Sequence, residues 1–161
     1  MNSSAWDKFR KQQAAEREQL SRLLAGMARL LAQCRETEPN EVELSALAAL
    51  LHSFYTGVEN IFKRVAVELD GRRMAGDAWH RDLLRGMAEP GSARPALLPA
   101  PLHETLLDYL RFRHVFRNAY SFDLQWEKMS ALVLNVEATL LELERTLDEF
   151  LTHAPRAADN R

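Results

Sequence analysis

The chain has 161 residues, 21 Lys and Arg against 23 Asp and Glu, a net charge of -2 and one cysteine. That length predicts one domain that buries its own core without covalent staples, and the near balance of charge excludes binding of nucleic acid through the whole molecular field, leaving only a local patch for it. Cys34 alone excludes an internal disulfide and suits a reducing compartment. The opening MNSSAWDKFRKQQ lacks the apolar centre of a signal peptide, and no apolar run approaches the roughly 20 residues of a membrane span, so the expectation is a soluble cytoplasmic protein with no membrane contact.

Ser3 or Ser4 is the expected cap of a first helix running to about Glu36, with Leu20, Leu23, Met27, Leu30 and Cys34 as its apolar stripe. Residues 1–19 read as a polar helical extension, a solvated segment or dimer arm, because Asp7 to Gln19 is nearly all polar after Trp6 and Phe9. Asn40 after Pro39 is the expected cap of a second helix, striped by Leu44, Leu47, Leu51, Phe54, Val58, Ile61 and Val65 and ended at Gly71. A short helix is expected over Asp77–Met87, and Glu89 to Pro95 is a loop by composition. A third long helix starts near Pro101, a residue suited to a first helical turn. Its stripe is Leu102, Leu106, Tyr109, Arg113, Phe116 and Tyr120. The last helix spans about Leu124 to His153, striped by Met129, Val133, Val136, Leu140, Leu143, Leu147 and Phe150. With no strand-like alternation, the expected fold is all-α: an up-and-down bundle of four long helices and a short one, forming a single domain over 1–157 with a disordered tail at 158–161.

Within the third helix, the run Arg113-His114-Val115-Phe116-Arg117-Asn118-Ala119-Tyr120 crowds ionisable and polar groups that a core helix must hydrate or pair. At about 100° per residue, Arg113, Arg117 and Tyr120 fall within about 40° of one face. Arg113 occupies a position of the apolar stripe, where it either snorkels, pairs with a carboxylate at a helix end, or serves a site. The histidines His52, His80, His103 and His153 are scattered, and none follows a Glu by three residues, so no metal site and no cofactor is expected. Lys63-Arg64 and Arg72-Arg73 read as solvated charge, and Trp6, Trp79 and Trp126 are too far apart in sequence to suggest one stacking platform.

Arg113, four residues, then Asn118-Ala119-Tyr120 resembles the R-x4-H-x-Y signature of the HEPN superfamily, and within it the HepT-like ribonuclease toxins. YLRFRHVFRNAYSFDLQWEKM and the earlier HSFYTGVENIFKRVA extend the resemblance over roughly Leu44 to Leu147. It implies a HEPN-like bundle that forms a two-fold homodimer, with an RNA-cutting cleft that uses no metal. It also implies a minimal nucleotidyltransferase (MNT) antitoxin as partner, which in some pairs adds AMP to the tyrosine matching Tyr120. In that scheme the ribose 2′-hydroxyl attacks the neighbouring phosphorus. Arg113 orients the phosphate and stabilises charge, position 118 transfers protons, and Arg111 and Arg117 hold the RNA backbone.

Asn118 departs from the signature, since an amide hydrogen-bonds but does not titrate. Three accounts stay open: a natural degenerate site, substitution by His114 one turn earlier, or a deliberate inactivating change. The resemblance therefore implies a toxin inactive or weakened at Asn118. The rival reading is a non-catalytic helical adaptor for a nucleotidyltransferase, and a third is a plain helical scaffold. The dimer has a separate argument: Arg113 wants a polar partner, which His114, Asn118 and Tyr120 of a second chain would supply.

Overall fold

Helical periodicity carries through into three dimensions. The computed structural model describes residues 2–118 and 120–156, and among them there are six α-helices and no β-strand. The expected tail at 158–161 lies outside the described residues.

The first helix, α1, covers Ser3–Gly26 and is capped one residue earlier than expected, by Asn2, whose side chain accepts from the Ser4 amide at 3.0 Å. It stops at Gly26-Met27, and a separate short helix, α2, follows over Ala28–Gln33. Glycine is among the weakest helix formers, so the one long helix expected from the stripe breaks beside it. Nor are residues 1–19 a solvated arm. Trp6 and Phe9 are buried against Phe150, with ring centroids at 5.1 and 5.9 Å. Gln13 is also buried and donates to the Arg10 carbonyl at 3.0 Å. Two aromatic rings three residues apart supply enough apolar area to dock the otherwise largely polar first half of the helix, and Leu20 and Leu24 dock the second. Arg17 then ties α1 to the last helix through Asp148 at 2.6 Å and Glu144 at 3.3 Å.

Helix α3, Glu41–Arg64, begins with the expected Asn40 cap, completed by Glu43 into a reciprocal box with bonds of 2.8 and 3.0 Å. The expected stripe is buried, and a second row of Tyr55, Glu59 and Phe62 is buried as well. The reason is position: α3 packs against α1, α4, α5 and α6, so it has no fully solvated flank. Past Arg64 the helix widens into one π turn, Val65–Leu69, where the Asp70 amide reaches back to the Val65 carbonyl at 3.2 Å. Gly71, at φ 64°, ends it in a conformation that side chains resist.

Helix α4 spans Trp79–Met87, two residues shorter than expected at its start. The following loop is pinned by Arg94, whose side chain is 2% exposed. Its Nε and Nη2 donate to both oxygens of Asp70 at 2.7 and 2.9 Å. Its remaining donors reach the carbonyls of Glu89, Pro95 and Gly86 at 3.0, 3.0 and 3.2 Å. Gly91 must be glycine here, because a Cβ would stand 2.5 Å from an oxygen of that buried carboxylate.

Helix α5, Ala100–Phe116, has proline in its first turn as expected and buries Leu102, Leu106, Tyr109 and Leu110. The Tyr109 hydroxyl donates to the Leu132 carbonyl at 2.7 Å, and burial pushes that phenol up to about 12. A single 3₁₀ turn, Ser121–Asp123, leads into α6, Trp126–Leu151, whose expected stripe is buried throughout.

Candidate functional site

The site is built where α3, α4 and α5 meet. Glu59, on the second buried row of α3, is only 2% exposed, and a carboxylate that far from water must be paired. Its Oε2 lies 2.7 Å from His80 Nδ1 at the start of α4, and its Oε1 lies 3.6 Å from Arg113 Nη1 on α5. Arg113 Nη1 is also 2.9 Å from that same imidazole nitrogen. One nitrogen cannot serve both neighbours. A carboxylate oxygen only accepts and a guanidinium only donates. The carboxylate is the closer and carries the opposite charge to Arg113. His80 therefore donates Nδ1–H to Glu59, and Arg113 is held by its attraction to the same carboxylate.

The partner expected from a second chain is thus present within one chain. The reading of Arg113 as an ion-paired arginine is closest to what is seen, except that the carboxylate lies within α3 and not at a helix end. The geometry also removes the argument for dimerisation that rested on an unpaired Arg113.

Other polar atoms surround this ion pair. The Tyr55 hydroxyl, His52 Nδ1 and Arg113 Nε are buried with no hydrogen-bond partner among the described residues. Burial lowers the His52 imidazole below its ordinary value, and the positive charges of Arg113 and Arg117 push the same way. Burial raises the Tyr55 phenol, and the Glu59 carboxylate adds to the effect. Polar groups of three residue types therefore converge on the α3–α5 seam.

Beside the seam a cleft of about 480 Å³ opens to solvent. Arg111, Arg113, His114 and Arg117 line it from α5, and His80 and Arg81 line it from α4. Four of the six residues singled out in the sequence are therefore together, and they differ in exposure. Arg113 is 15% exposed, whereas His114 and Arg117 are exposed, and Arg111 is exposed in an ion pair with Asp108 at 3.3 Å.

Asn118 and Tyr120 are not among the lining residues. Helix α5 ends at Phe116, and the Asn118 side chain turns back to donate to the His114 carbonyl at 3.2 Å. That bond satisfies one of the last carbonyls of the helix, which have no partner within it. The shared helical face expected for Arg113, Arg117 and Tyr120 consequently fails at Tyr120. Tyr120 is 70% exposed and stacks in parallel with Phe122, their centroids 5.2 Å apart. Its backbone amide donates to Asp123 at 3.3 Å, which starts the next turn.

Residues 46–154 match the family described as HepT-like protein. The chain belongs to the HepT-like family. No curated protein and no solved structure matches it. The family match supports a HEPN-type, toxin-like protein, and the helical bundle agrees with it. The match runs through α3, α4, α5 and α6, so the whole Glu59–His80–Arg113 cluster of this HepT-like chain lies inside it.

Sequence reasoning missed Glu59 and did not connect His80 to Arg113. Glu59 was legible in principle, as a lone carboxylate inside the apolar run Tyr55, Val58, Ile61, Phe62, facing a lone arginine on another apolar stripe. His80 was read as one of several scattered histidines. Its loop and short helix carry no spacing that aligns it with Arg113, and only the packing of α4 on α3 does so. Trp79 and Lys63 were likewise read apart. The Trp79 ring stacks on His80 at 3.6 Å, and Lys63 Nζ lies 4.6 Å from the centre of the Trp79 ring. Among the described residues no group of three or more His, Cys, Asp and Glu is arranged to hold a metal ion, and no helix is long and apolar enough to cross a membrane.

Proposed function

We propose that this HepT-like chain is a cytoplasmic toxin that cuts RNA through its own ribose 2′-hydroxyl, and that Asn118 leaves it weakened. The observation that carries this reading is the cleft: four arginines and two imidazoles face one solvent-accessible space on a chain whose net charge is -2. Arginine donors hold phosphate oxygens and stabilise charge that builds on them. Imidazoles transfer protons near neutral pH. Arg113 is the transition-state arginine of this scheme, and Arg111 and Arg117 bind the backbone on either side. The working form is a homodimer that brings two such clefts close together.

The test is Asn118→His. Purified protein carrying it is expected to cut single-stranded RNA in the presence of EDTA about 10² to 10⁴ times faster than the chain with Asn118, which is the usual contribution of one acid–base group. No cleavage from either protein would sink the ribonuclease reading.

The cognate partner in this proposal is an MNT-type nucleotidyltransferase, with Tyr120 as the acceptor of AMP. Its 70% exposure makes the phenol reachable, and an added phosphate would compete for the arginines of the cleft. After incubation with that enzyme, ATP and Mg²⁺, intact mass should rise in AMP units and stay unchanged in Tyr120→Phe. The second reading is a non-catalytic adaptor, favoured by one observation: the Asn118 amide is already committed to the His114 carbonyl. In that case the nucleotidyltransferase binds, and Asn118→His brings no RNA cleavage.

A further inference from the structure

Cleavage of RNA by its own 2′-hydroxyl needs two proton transfers, one from the attacking oxygen and one to the leaving 5′ oxygen. Asn118 performs neither. The cleft contains two imidazoles, and they differ in how they are held. His114 is exposed, and its ring makes no hydrogen bond among the described residues. His80 is fixed on two sides. Its Nδ1 donates to a carboxylate that is 2% exposed, at 2.7 Å, and the Trp79 ring lies against its face at a 28° angle. The His80 side chain is 21% exposed and lines the cleft. With Nδ1–H committed to Glu59, the neutral ring carries its lone pair on Nε2, the nitrogen left for a ligand. A buried carboxylate that fixes the tautomer and supports the imidazolium formed on proton uptake is the arrangement that makes a histidine an effective base.

We propose that His80 is the general base of this chain, with Glu59 as its positioning residue. The inference rests on the ribonuclease reading and names the group that carries its first proton transfer. In the step, His80 Nε2 takes the proton of the 2′-hydroxyl. The 2′ oxygen bonds to phosphorus, the bond from phosphorus to the 5′ oxygen breaks, and that oxygen leaves with a proton from water. The products are a 2′,3′-cyclic phosphate and a 5′-hydroxyl, and the His80 imidazolium returns its proton to solvent. Arg113, 3.6 Å from Glu59, sits beside the base, where a guanidinium meets the phosphate undergoing attack. Water is a poor acid for the leaving oxygen, so the chain should be slow, and an imidazole at position 118 that reaches this oxygen should accelerate it.

The experiment uses the full chain and a short single-stranded RNA in EDTA. It compares the unsubstituted protein, His80→Ala, Glu59→Gln, Asn118→His and the double variant His80→Ala/Asn118→His. The unsubstituted chain should cut slowly and leave cyclic phosphate ends. His80→Ala should lower that rate by about 10² to 10⁴, with unchanged circular dichroism and RNA affinity, and added imidazole should restore at least tenfold of it. Glu59→Gln should lower kcat and leave KM within about twofold. The double variant should lose as much, relative to Asn118→His, as His80→Ala loses relative to the unsubstituted chain. An unsubstituted chain that leaves RNA intact while Asn118→His cuts it would overturn the role of His80 and leave the ribonuclease reading standing. Rates within threefold after His80→Ala, or an inactive His80→Ala that imidazole fails to restore, would also overturn it. If neither the natural chain nor Asn118→His cuts, both readings fall together.

Discussion

Two arginines of this molecule sit beside a carboxylate, one buried and one partly exposed, and they are held in opposite ways. Arg94 has both oxygens of Asp70 within 2.9 Å and three backbone carbonyls on its remaining donors. Arg113 stands 3.6 Å from Glu59, has a buried Nε with no partner, and lines a cleft. A guanidinium whose hydrogens are all used stabilises a loop and has nothing left for a ligand. One with unused hydrogens is an unfavourable way to fill a core, since an unmet buried donor costs about 1–3 kcal/mol. Its position next to open space fits a group that completes its bonding with something from outside. Completeness of hydrogen bonding separates the two more sharply than burial does.

The contrast is open to direct attack. The largest effect should come from Arg94→Ala, which strands Asp70 and three carbonyls. Breaking a buried pair from one side costs about 3–5 kcal/mol, and urea unfolding should show it. Arg113→Ala, placed in the Asn118→His background, should lose about 10² to 10³ in RNA cleavage, as for removal of one transition-state donor. Its stability loss should be smaller than that of Arg94→Ala, because His80 still donates to Glu59 at 2.7 Å. Equal stability losses, or cleavage untouched by Arg113→Ala, would erase the distinction. The smallest effect concerns His52 at the margin of the cluster. Its folded imidazole is lowered from the ordinary 6.5 by burial and by Arg113 and Arg117. A lowered histidine binds fewer protons folded than unfolded, so its contribution to stability is present above that value and is lost as pH falls below it. His52→Gln should flatten the fall in melting temperature between about pH 6.5 and pH 5, and an unchanged slope would show that the cluster's charges do not reach it.

Sequence and structure agree where local rules decide and part where packing does. Asn40 followed by Glu43, and proline at the start of α5, announce helix ends by themselves, and the three-four stripes of α3 and α6 are buried as their spacing requires. The break at Gly26-Met27 was obscured because Met27 and Leu30 continue an apolar stripe that hydrophobicity alone extends. The end of α5 was obscured because Tyr120 stands at a plausible helical interval from Arg113, although the chain has already turned at Asn118. In the site, the run from Arg113 to Tyr120 stands out as excess polarity, and four residues of this region, Arg111, Arg113, His114 and Arg117, line the cleft. The other half, Glu59 and His80, comes from two other helices and is separated from Arg113 by 54 and 33 residues, so no local pattern could join them.

The docking of α1 gives the similarity boundary a physical meaning. The family match begins at residue 46, yet Trp6, Phe9, Leu20 and Leu24 of α1 belong to the same apolar core as α3 and α6. Kinship and foldability therefore have different limits in this chain. A fragment cut to residues 46–154 would carry every residue of the cluster and still uncover Phe150 and the flank of α3, trading a helix for a sticky surface. The first helix shields that shared core from solvent, and engineering that treats it as removable would be measuring aggregation in place of function.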